Sequence, residues 1–188
     1  MKIASIESLF EENLKDLYDA EKQMVRALPK LAKAATFEDL TQVFLEHLAV
    51  TKTHVDRLEK VFELVSAKPK GKTCEGMKGL VAEGQEAIAQ EGDDSLRDMM
   101  LIGAAKRVEH YEIAGYQAAI LLAEALAYDE AADLLRQTLA EEEEADGILG
   151  GLCVQLTKTY ALEPHPEADS NQKGRARDTT RTRTAGAR

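Results

Sequence analysis

The sequence predicts an all-α chain: a four-helix bundle whose middle connection is a long crossover carrying a short extra helix, followed by a disordered tail. Three observations carry this. Breakers are scarce: the 188 residues hold four prolines, and Pro69, Pro164 and Pro166 fall in connections or the tail. Between the breakers, stretches dense in Ala, Leu, Glu and Lys favour helix. Within those stretches apolar residues recur at steps of three and four, which is the period of one helical face.

The first helix, α1, is expected from Ser5 to Ala35, with Ser8 and Glu11 at capping-box spacing and a stripe of Ile6, Phe10, Leu14, Leu17, Met24, Leu28 and Leu31. The second, α2, is expected from Glu38 to Val65, striped by Leu40, Phe44, Leu48, Val55, Leu58, Phe62 and Val65. A charged linker, Ala67 to Lys72, leads to the short helix α3, from Thr73 to Gln90, weakened by Gly76, Gly79 and Gly84. Gly92-Asp93-Asp94-Ser95 reads as a stop and a new N-cap. Then α4 runs from Leu96 to Ala127 and α5 from Asp129 to Tyr160. The α1–α2 and α4–α5 joints are short, so each pair is an antiparallel hairpin. The long α2–α4 connection can cross the bundle, which is the one-crossover topology of ferritin-like folds. Residues 1–162 form this domain. Residues 163–188 are polar and lack an apolar stripe, so they cannot bury enough surface to order themselves.

The charge is divided. The net charge is −10, yet the tail sums to +2 through Lys173, Arg175, Arg177, Arg181, Arg183 and Arg188 against four acids, which leaves −12 for the bundle. An acidic body repels nucleic acid and anionic membranes and suits a protein that handles cations. The Arg-bearing tail supports weak, salt-sensitive DNA contact at most. The chain opens on an amphipathic helix without the apolar stretch of a signal peptide, and no apolar run reaches membrane-spanning length. The expectation is a cytoplasmic protein. Cys74 and Cys153 match no zinc spacing and are expected as two free thiols. No glycine-rich phosphate loop or nucleophile elbow is present.

The chain also repeats itself at a shift of 91 residues. Ala27, Leu31, Ala32 and Ala34 fall on Ala118, Leu122, Ala123 and Ala125, and Phe37-Glu38-Asp39 falls on Tyr128-Asp129-Glu130. Glu21 falls on Glu112. Both glutamates lie inside the apolar stripe of their helix. A carboxylate facing a core is costly unless it is paired or bound to metal, so this symmetric pair marks a candidate site.

Five ordered blocks resemble the YciF/YciE-type stress-associated ferritin-like proteins of bacteria. They are Leu17-Tyr18-Asp19-Ala20-Glu21-Lys22-Gln23 with Ala27-Leu28-Pro29-Lys30; Arg57-Leu58-Glu59-Lys60-Val61-Phe62; Cys74-Glu75-Gly76-Met77-Lys78-Gly79-Leu80; Val108-Glu109-His110-Tyr111-Glu112-Ile113-Ala114; and Thr138-Leu139-Ala140-Glu141-Glu142. The resemblance implies a ferritin-like fold, a homodimer, a link to stress responses and a dinuclear metal centre in the bundle. It supplies no defined reaction.

A ferritin-like dinuclear centre takes one Glu from each of two helices and a Glu-x-x-His pair from each of the others. Here α1 and α4 supply Glu21 and Glu112. Helix α5 offers Glu142 and Asp146 on the stripe of Leu135, Leu139 and Leu149, with Glu141 at its edge. Helix α2 offers His54 beside Val55 and Leu58, but Thr51 stands three residues before it. The resembling family carries an acid just before that threonine, where this chain has Ala49-Val50. The expected ligands are Glu21, His54, Glu112, Glu141, Glu142 and Asp146, around iron or manganese, the metals that suit carboxylates with a few imidazoles, in a dinuclear site or in one that the missing acid has reduced to a single metal or none. Glu109 and His110 are read as supporting or surface groups, and Tyr18, Tyr111 and Tyr116 as packing. Two functions follow: a metal-dependent oxidase, peroxide-removing or iron-handling protein, or a structural protein that kept the fold without the metal.

Overall fold

The computed structural model describes residues 3–70 and 72–162. They form five helices, α1 Ile6–Ala34, α2 Glu38–Leu64, α3 Glu75–Ile88, α4 Asp94–Ala125 and α5 Asp129–Leu162, with no strand among the described residues. Each helix falls where the sequence places it, and the ends move by one or two residues. The tail expected at residues 163–188 lies outside the described residues. The chain divides into two units, Met1–Leu156 and Thr157–Arg188. The first is the bundle; the second is described only as the last turns of α5.

The ends show what stops and starts each helix. The capping box of α1 sits one turn earlier than Ser8 and Glu11 suggest. Ser5 is the N-cap, its hydroxyl accepting the Ser8 N–H at 3.2 Å, while Ser8 Oγ accepts the Ser5 N–H at 3.1 Å. Cys74 caps α3 through its sulfur, and Asp93 caps α4 by accepting the Leu96 N–H at 3.1 Å. Phe37 cannot cap α2 with a side chain. Asp98 of α4 does it from across the bundle, accepting the Thr36 and Phe37 N–H groups at 3.1 and 2.6 Å and the Thr36 hydroxyl at 2.8 Å. Helices α2 and α4 both end in left-handed residues, Ser66 and Ala127, each at φ 54°. The Ala67 and Tyr128 N–H groups then close back on Phe62 and Ala123 at 2.9 Å, the Schellman arrangement normally built on glycine.

Cross-bundle contacts fix the topology. Tyr18, in the first half of α1, meets Phe62 and Glu59 near the end of α2, and the short α1–α2 joint makes the two antiparallel. Glu21 meets Tyr116, while Thr36 meets Asp98, so α1 and α4 are antiparallel too. Helices α2 and α4 are thus parallel, and the connection between them must travel the length of the bundle. Helix α3 rides on that crossover. Helix α5 runs antiparallel to α2, with Glu141 on His54 and Thr138 on Arg57. This is the ferritin-like order of helices.

The apolar core comes in two clusters. One gathers Phe10, Leu14, Leu17, Leu58, Phe62, Ala119 and Leu135 at one end. The other gathers Met24, Leu28, Leu40, Phe44, Met77, Leu101, Val108 and Leu149 at the opposite end. Buried polar side chains occupy the layer between them. No helix of the described residues is long and apolar enough to cross a membrane.

Candidate metal centre

The polar layer draws on all four long helices. Glu21 comes from α1, His47 and His54 from α2, Glu109 and Glu112 from α4, and Glu142 from α5; five are at most 1 % exposed, and His47 is 8 % exposed. Helical period brings them together. His47 and His54 are two turns apart on one face of α2, and Glu109 and Glu112 are one turn apart on α4.

Two groups of three have the spacing of metal ligands: Glu21, His54 and Glu142; and His47, Glu109 and Glu142. Glu142 belongs to both and gives each a different oxygen. Its Oε1 lies 2.9 Å from His54 Nδ1 and its Oε2 lies 3.5 Å from His47 Nε2. His54 Nδ1 is 3.4 Å from Glu21 Oε1, and His47 Nε2 is 3.5 Å from Glu109 Oε1. Glu112 lies outside both triads but is buried within reach of their charge, its ionisation opposed first by burial and then by Glu21, Glu142 and Glu109.

These atoms satisfy one another only in part, through the His54–Glu142 ion pair. Glu21 Oε2, Glu109 Oε2, Glu112 Oε1, both oxygens of Glu142 and His54 Nδ1 are buried with no hydrogen-bond partner. Buried polar atoms are normally paired, so a cluster of orphans from four helices calls for an explanation. In each group the ligand atoms lie within 4.8 Å of one another, as ligands around a cation do, and the 2.9 Å approach of His54 Nδ1 to Glu142 Oε1 is also that of an ion pair when His54 is protonated. The residues present thus fit a carboxylate–imidazole metal centre, with one acid positioned to serve two ions.

The electrostatics agree. Burial pushes Glu109 and Glu112 well above the usual carboxylate range, and the neighbouring acids push further in the same direction. Burial also raises Glu21, against the pull of His54. Burial opposes charge on Glu142 as well, but the imidazole of His54 holds it below its ordinary value. Burial would lower His54; Glu142 and Glu21 overcome it and push His54 up to about 10. Burial lowers His47, which favours the neutral imidazole that binds metal.

Of the residues expected at the site, Glu21, His54 and Glu142 meet directly and Glu112 is buried beside them. Glu141 and Asp146 stand apart from both triads, each already held by a base. The Arg57 guanidinium clasps both oxygens of Glu141 at 2.8 and 3.1 Å, and Glu141 reaches only the outer nitrogen of His54. Lys106 bonds to the carboxylate and carbonyl of Asp146, with His110 Nε2 at 3.4 Å. Thr51, where a Glu-x-x-His pair would place an acid, turns its hydroxyl back to the His47 carbonyl at 2.8 Å.

His47 and Glu109 were not among the expected ligands. His47 could have been found: Phe44, His47, Thr51, His54 and Leu58 recur at steps of three and four, and two of those five are histidines. Glu109 is harder to see, because α4 buries residues on several sides and shows no single stripe. Tyr116, read as packing, is wholly buried and also donates to Glu21 Oε1 at 2.5 Å.

A one-crossover helical bundle with a buried layer of acids and imidazoles defines the ferritin-like class. The chain belongs to the family described as a domain of unknown function, DUF892, whose model matches residues 5–162. It is 44 % identical over 133 residues to protein YciF of Escherichia coli strain K12, covering 70 % of this chain and 80 % of that protein. The crystal structure of the E. coli stress protein YciF superposes with a TM-score of 0.81 at 42 % identity, over 83 % of this chain and 99 % of that one. A solved protein from Rhodopseudomonas palustris gives a TM-score of 0.77 at 37 % identity, over 79 % and 95 % of the two chains.

Proposed function

We propose that this protein is a cytoplasmic, stress-associated metalloprotein that holds iron or manganese in the buried layer and works as a homodimer. One observation carries the reading: five carboxylate oxygens from three helices are buried without a hydrogen-bond partner around two histidines of a fourth. Glu21, His54 and Glu142 would hold one ion, and His47, Glu109 and Glu142 a second, with Glu112 at hand. A bound iron would supply one-electron redox chemistry toward oxygen or peroxide. The chain's own contribution is to orient and to exclude water. Tyr116 fixes the rotamer of Glu21, and the apolar clusters on either side keep solvent out of a layer whose charges then act strongly. The similarity to the E. coli stress protein supports the stress association.

A second reading, a structural protein without metal, is favoured by one feature. His54, pushed up to about 10, is a built-in cation between Glu21 and Glu142. One imidazolium does not balance four buried acids, however, and Glu109 and Glu112 keep unpartnered oxygens. The metal reading accounts for them.

Melting of the full chain in chelator and in excess Mn²⁺ separates the two. Metal that binds only the folded state at a hundredfold excess over its dissociation constant adds about 2.7 kcal/mol, so the melting temperature should rise by several degrees. Identical curves would favour the structural protein.

A further inference from the structure

His54 has two ring nitrogens, and the structure gives them different tasks. Nδ1 faces Glu142 and Glu21, inside the unpartnered layer. Nε2 faces Glu141 Oε2 at 2.8 Å on the outer side. Glu141 is not adrift: Arg57 holds both of its oxygens and also donates to Thr138 Oγ1 at 2.5 Å, so both members of the ion pair are anchored to α2 and α5. Glu141 is about a third exposed, whereas His54 is wholly buried. A carboxylate accepting from the far nitrogen of a metal-binding imidazole fixes its tautomer and raises its basicity.

We propose that Glu141, clamped by Arg57, is a positioning residue that commits His54 to bind the metal through Nδ1. This rests on the metal reading above and deepens it. Glu141 then has no place among the ligands. Its role is to keep the proton on Nε2 and the Nδ1 lone pair aimed between Glu21 and Glu142. The same contact ties the buried layer to the surface through one carboxylate, so the strength of metal binding is set partly by a half-buried ion pair.

The test uses the full chain loaded with Co²⁺, with affinity and stoichiometry from titration and the paramagnetically shifted NMR spectrum as the signature. The wild type should show a shifted, exchangeable N–H signal from His54 Nε2, absent in His54→Gln. Glu141→Ala should lower Co²⁺ affinity about tenfold to a hundredfold at unchanged stoichiometry, and that N–H signal should broaden or vanish as exchange quickens. Glu141→Gln, whose carbonyl can still accept the N–H, should fall between. Arg57→Gln should weaken binding in the same direction while leaving every ligand in place. Unchanged affinity and an unchanged N–H signal in Glu141→Ala would overturn the proposal and leave the metal reading standing. No Co²⁺ uptake by the wild type would remove both.

Discussion

His54 and Glu142 meet at 2.9 Å, Nδ1 to Oε1, with neither side chain exposed. They stand on α2 and α5, helices joined by no direct connection, and the pair is the hub of the buried layer. The other oxygen of Glu142 faces His47, so a single carboxylate links two groups of candidate ligands.

On the proposed metal reading, protons and metal would compete for this layer. In the metal-free protein, Glu21, Glu109 and Glu112 are raised, chiefly by burial, so the folded chain keeps protons that the unfolded chain releases above about pH 4.3. The folded state binds more protons, and stability therefore falls as pH rises. His54 acts in the same direction: its contribution is full below about 6.5 and is lost as pH rises through about 10. His47, lowered by burial, opposes with one group. Melting in chelator should be higher near pH 5.5 than near pH 8, and excess Mn²⁺ should reverse the order because the cation replaces those protons. A chelated protein that grows more stable toward pH 8 would contradict the assignment.

Asp98 is the buried capping group for the start of α2, accepting backbone N–H groups from both Thr36 and Phe37. Asp98→Ala should cost about 2–3 kcal/mol in urea denaturation, since charged hydrogen bonds to buried donors are lost together. Metal binding should survive, because Asp98 caps the α1–α2 turn and belongs to neither ligand group.

Ala127 ends α4 in the left-handed region at φ 54°, where a Cβ is unfavourable. Ala127→Gly should raise the unfolding free energy by about 0.5–1 kcal/mol, read by the same denaturation. A loss of stability would mean that the Cβ packs usefully in the α4–α5 turn.

Helix identity and order were legible because α1, α2 and α5 carry a three-and-four apolar period, α4 is a long stretch without breakers, and the connections differ in length. Glu21 and Glu112 were legible as charges inside apolar stripes. The rest depended on partners distant in sequence. Nothing local distinguishes Asp146 from Glu142, one turn apart on the same face; Lys106 on α4 takes the first and leaves the second to the core. Glu141 lies at the edge of the stripe that buries Glu142, and its capture there by Arg57 of α2 could not be read locally. The role of Asp98, two turns or more from any expected ligand, appears only once α4 is laid against the α1–α2 turn.

The central claim is that the buried layer binds metal, and the most direct test is metal content per chain. The full-length protein would be loaded aerobically with ferrous iron, desalted and submitted to elemental analysis beside Glu142→Ala. The account predicts two irons per chain, one for each ligand group, with both lost when Glu142 is removed. Iron near zero in a folded wild type, or equal iron in the two proteins, would contradict it.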